Sequence, residues 1–127
     1  MNSIALTPLP SPVGETVLHV ALSRLGAYLD DESGSLEALL KLAGRSAAAD
    51  DIRALHALHL DTDATEEDLR QLLMQAQTLV VRLLDTVRAI PLHARFSSAP
   101  SDFDAWLRWS GARLQDVCKT LSRALAN

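Results

Sequence analysis

Residues 64–90 carry the pattern that most restricts this chain. Leu69, Leu73, Ala76, Val80, Leu83, Val87 and Ile90 recur at alternating steps of four and three, flanked by Leu72, Leu79 and Leu84. Such steps keep side chains on one side of an α-helix, and three heptads with a widened apolar stripe need partner helices to cover them. The spacing predicts a helix over 64–90 that acts as the spine of a bundle. Asp63 and Glu66 have capping-box spacing at its start. Glu67 and Asp68 add negative charge where free N–H groups point, and Pro91 ends the helix.

The flanking segments repeat the logic. Val17, Leu18, Ala21, Leu25, Tyr28 and Leu29 form one apolar face, with Ser11 as cap and Pro12 as first helical residue, and this helix is expected to end near Asp30, before Asp31-Glu32-Ser33-Gly34. Leu36, Leu39, Leu40 and Ala43 continue to Gly44, and the period resumes with Ala48, Ile52, Leu55 and His59. This predicts helices over 35–43 and 47–60, or one helix broken at Gly44. After a polar, turn-rich linker at 91–100, Ser101 and Asp104 mark the start of a last helix. Its stripe is Phe103, Leu107, Leu114, Val117, Cys118, Leu121 and Leu125. No segment alternates with a period of two between turn signals, so no sheet is expected. The architecture implied is all-α: an antiparallel four-helix bundle of rods of comparable length, its second helix broken near Gly44. Residues 1–11 form an extended N-terminal arm and 12–127 a single domain.

Composition agrees. The 127 residues include 24 Leu and 19 Ala against 3 Ile and 7 Val, a helix-former's alphabet in a chain sized for one core. The lone Cys118 excludes an intrachain disulfide and a multi-cysteine zinc site, and on an apolar face it reads as a small hydrophobe. The net charge of −4 argues against nucleic acid as the partner. The charge is uneven: residues 1–81 hold 12 acids and 5 bases (−7), and residues 82–127 hold 4 acids and 7 bases (+3), so the two parts attract within a monomer or across a dimer. No apolar stretch is long enough for a membrane span or a signal-peptide core, which leaves a cytoplasmic address and no membrane partner as expectations. Ten of the twelve bases are Arg, and with abundant Ala and Leu this suggests a GC-rich bacterial genome.

Catalytic signatures are missing. There is no Gly-rich phosphate loop, no Gly-x-Ser-x-Gly and no His-Glu-x-x-His. No tested histidine is followed by Lys and Gly as in phosphorylatable bundle histidines, since His19, His56 and His93 precede Leu22, His59 and Phe96 at that offset. The acidic run from Asp61 to Asp68 lacks the glycine and spacing of a calcium loop. His56 and His59, three apart, would point to one side of a helix and offer two ligands to a metal or a handle for a small molecule, with His59 the more enclosed. Trp109 stands out differently. With Phe103 as the centre of its helix face, Leu107, Leu114 and Leu121 fall within about 40°, Trp106 at about 60° and Trp109 at about 120°. Arg113, one turn on, can stack on that indole, and Arg95 and Phe96 precede it in the linker. A tryptophan beside arginine, outside the core stripe, has the composition of an interface anchor.

The reading that follows is a non-catalytic bacterial interaction or regulatory module of adaptor, chaperone or inhibitor type. It uses no cofactor and no metal, self-associates as a homodimer through its leucine-rich faces, and meets a protein partner at Trp109, Arg113, Trp106, Arg95 and Phe96. The alternative is a small-ligand or metal-binding bundle using His56 and His59.

Overall fold

The computed structural model describes residues 13–91 and 101–126, with side chains from 17 onward in the first segment and from 102 in the second. The expected arm at 1–11 and the linker residues Arg95 and Phe96 lie outside the described residues. Four helices and no strand are present among them: α1 Val13–Leu42, α2 Ser46–Ala57, α3 Glu66–Ala89 and α4 Ser101–Ala126. α1 and α3 each pack against all three other helices, whereas α2 and α4 make no close backbone approach to each other. Residues Arg70, Gln77 and Arg88 of α3 bond Leu125, Ser122 and Gln115 of α4, so rising numbers on one helix meet falling numbers on the other.

The division of the first half differs from the expectation. α1 runs for 30 residues straight through Asp31-Glu32-Ser33-Gly34, and the segment expected as a separate helix over 35–43 is its C-terminal part. Leu29 and Leu36 are seven residues apart, two helical turns, so both face the core, and burial of Leu36, Leu39 and Leu40 outweighs the roughly 1 kcal/mol that one mid-helix glycine costs. The chain turns at Gly44 as the end of α1, not as a break within a second helix. Gly44 has φ +76°, its N–H donates to the Lys41 carbonyl at 3.1 Å, and the Arg45 N–H donates to the Leu40 carbonyl at 2.7 Å. Those two bonds make a Schellman motif, which needs the left-handed backbone that glycine tolerates. α2 is therefore a short rod of 12 residues beside three long ones.

The two glycines give opposite expectations. A Cβ on Gly34 meets nothing within 4 Å and the backbone there is helical, so Gly34→Ala raises stability by about 0.5–1 kcal/mol. At Gly44 the space is equally open but φ is positive, so Gly44→Ala lowers stability by about 1 kcal/mol. Urea denaturation of the two variants checks both signs. Two losses would mean that the chain also turns at Gly34.

The spine behaves as its pattern dictates. Every residue of the stripe from Leu69 to Ile90 is buried, together with Leu72 and Leu84. The cap is two residues later than Asp63. Thr65 Oγ1 accepts from the Asp68 N–H at 3.1 Å while Asp68 Oδ2 accepts from the Thr65 N–H at 3.0 Å. The Ala64 N–H donates to the Asp61 carbonyl, so Asp63 is taken up in the turn that precedes the helix.

Candidate functional site

α4 sorts its aromatic residues by angle. Leu107, Ser110, Leu114, Leu121 and Ala124 are buried. Phe103 and Trp106 are half-buried against the core, standing edge-on to each other with centroids 6.4 Å apart and planes at 81°. Trp109 points away and keeps 48% of its surface exposed. Of the two indoles, Trp109 is the more exposed, and Trp106 keeps part of its surface open beside it.

Arg113, one turn on from Trp109, joins it to α1. Its guanidinium carbon lies 5.7 Å from the Trp109 ring centre and 5.8 Å from the Tyr28 ring centre, which places one cation against two ring faces. Its Nε is shielded from water and has no hydrogen-bond partner among the described residues. Beneath it, α1 and α4 leave a groove of about 260 Å³. The apolar wall comes from Ala21, Leu25, Val117 and Leu121, and the polar rim from Arg24, Asp31, Asp116 and Thr120. Tyr28 lines the same groove and is buried. Desolvation drives its phenol pKa well above the usual range, Glu32 adds to the rise, and Arg113 opposes it, so the ring is neutral at physiological pH.

The Arg113–Trp109 contact follows from spacing within one helix. The Tyr28 contact does not, because it depends on how α1 is rotated against α4. The available signal was modest: the chain's one tyrosine sits on the apolar face of α1, so a buried phenol there needs a polar neighbour from elsewhere.

The histidine pair is not assembled. α2 ends at Ala57, so His59 lies beyond the helix that would have aligned it with His56. His59, expected to be the more enclosed, has 81% of its side chain exposed and faces Asp61, while His56 faces Asp30, each at 3.7 Å. Among the described residues no group of three His, Cys, Asp or Glu is placed to hold a metal ion. Cys118 is half-buried and free. No described helix is long and apolar enough to cross a membrane.

The leucine-rich faces expected to drive self-association are occupied by the chain's own core. What α3 leaves outside is Met74 and Val81, two turns apart. Arg82 of α3 forks onto Asp51 of α2 at 2.7 and 3.3 Å, one ion pair that links the basic and acidic parts within a single chain. With the Arg82 side chain open to solvent the attraction is screened, so the pair adds little to stability.

No family model matches this sequence, and neither the curated proteins nor the solved structures contain a match.

Proposed function

We propose that this chain is a non-catalytic interaction module, bacterial and cytoplasmic, that binds a protein partner through the Trp109–Arg113 flank of α4. The observation that carries the reading is the half-exposed indole set against a cation that α1 and α4 hold in place. Large aromatic and arginine side chains supply most binding energy at protein interfaces, and a pre-positioned pair loses little freedom on binding. Adaptor, chaperone and inhibitor roles all fit such a surface. Self-association as a homodimer belongs to the same proposal, now through the outer side of α3 where Met74 and Val81 are exposed.

Two measurements test it. Light scattering on the full chain over a range of concentrations is expected to give a dimer mass that Val81→Glu reduces to a monomer. Cross-linking in the native cell is expected to trap a partner, with the yield falling about 30-fold in Trp109→Ala, as for a hot-spot residue. A monomer at every concentration removes the dimer, and unchanged cross-linking in Trp109→Ala removes the surface.

A further inference from the structure

We propose that the groove between α1 and α4 is a docking slot for an acidic side chain, Glu or Asp, of the protein partner, with Arg113 as the group that receives it. This rests on the reading of the Trp109 flank as a protein-binding surface and names the chemistry that surface selects.

Arg113 makes no hydrogen bond or ion pair among the described residues: its Nε is enclosed, which leaves the terminal N–H groups of the guanidinium as the donors that an acceptor from outside can reach. The neighbouring N–H groups of a guanidinium form a fork that matches the two oxygens of a carboxylate, and the charged bond is stronger than one to a neutral amide. Tyr28 and Trp109 bracket the cation, so little side-chain freedom is lost when the bond forms.

Size and lining decide between occupants. At about 260 Å³ the groove falls below the ~300–1,000 Å³ that encloses a whole small-molecule ligand, but it accommodates one or two side chains. Val117, half-buried, with Leu25 behind it, offers an apolar wall to the methylenes of a glutamate. Asp31 and Asp116 border the groove without forming an ion pair with Arg113 among the described residues. They can accept N–H groups of an incoming backbone, yet they also repel a carboxylate, which Arg24 on the same rim offsets. Removing one of them therefore tightens binding of an acidic segment.

The test uses the nitrogen-15-labelled full chain and two blocked dipeptides, acetyl-Leu-Glu-amide and acetyl-Leu-Gln-amide, with acetate as a third probe. The Arg113 Nε–H and Trp109 indole resonances are expected to move saturably with the glutamate peptide, at a dissociation constant of order ~1 mM, and at least ~10-fold more weakly with the other two probes. Arg113→Lys keeps the charge and loses the fork, and is expected to abolish the preference for Glu over Gln. Asp116→Asn is expected to tighten binding about 3-fold at low salt. Equal response to the two peptides, or a preference that survives Arg113→Lys, overturns the slot. Acetate saturating at the same concentration as the glutamate peptide also overturns it, in favour of a site for a free small carboxylate. If Trp109→Ala abolishes partner cross-linking while the glutamate peptide leaves Arg113 unmoved, the slot falls and the protein-binding surface stands.

Discussion

Leu114→Ala lowers the free energy of unfolding by about 3 kcal/mol, whereas Trp109→Ala, five residues away on the same helix, lowers it by less than about 1 kcal/mol. The contrast runs against side-chain size and comes from burial. Leu114 has 0% of its surface exposed, so truncation removes its transfer free energy and leaves a cavity that packed neighbours only partly fill. Trp109 is 48% exposed, and its loss forfeits a partial apolar contact and one cation–π pairing with Arg113. For a domain whose total stability is ~5–15 kcal/mol, the first change is a large fraction and moves Tm down by ~10 °C. Urea denaturation resolves the two: the Leu114→Ala midpoint drops with an unchanged slope, and the Trp109→Ala curve stays close to the parent. Equal losses would make Trp109 part of the fold and leave the proposed partner surface without its anchor. Small loss of stability together with large loss of binding is what separates an interface residue from a core residue.

The same distinction explains which features are legible from residue order. The stripe from Leu69 to Ile90 is readable because its period is local and long, and every one of its members is buried. The Arg113–Trp109 stack is readable for a similar reason, since residues four apart on a helix are neighbours whatever the helix packs on. The continuity of α1 is not readable from nearest neighbours: Asp31, Ser33 and Gly34 each favour a turn. Only the seven-residue step from Leu29 to Leu36 preserves the phase, and it acts through tertiary burial. The start of α3 fails for a related reason. Asp63–Glu66 and Thr65–Asp68 have the same spacing, and the turn closed by the Ala64 N–H settles which pair becomes the cap. His59 illustrates the converse, since a helical period projected past Ala57 assigns a face to a residue that is no longer in a helix. The contact of Tyr28 with Arg113, on which the groove depends, requires the relative rotation of α1 and α4, and no single-helix pattern encodes that.

Tyr28 makes that contact measurable, because it is the chain's one tyrosine and its titration is visible as tyrosinate absorbance. Burial, with Glu32 adding and Arg113 opposing, raises the folded-state pKa above the ordinary value of 10.0. In the unfolded chain the phenol releases its proton at the ordinary value. The folded form therefore binds the proton more tightly, so the stabilisation is fully present below about pH 10 and is lost as pH rises from there toward the folded pKa. The slope approaches about 1.4 kcal/mol per pH unit, the linkage of one proton. In the parent, tyrosinate is expected to appear in step with alkaline unfolding instead of at a separate midpoint near pH 10. Tyr28→Phe keeps the ring against Arg113 and removes the phenol, so the difference between the two stability curves isolates this group. Tyrosinate forming near pH 10 in the still-folded chain would mean that the phenol is hydrated and the groove wall open. The measurement also reports on the slot. A carboxylate seated on Arg113 neutralises the cation that holds the phenol pKa down, so the glutamate peptide is expected to move tyrosinate formation to still higher pH. The glutamine peptide, which brings no charge, is expected to leave it where it was.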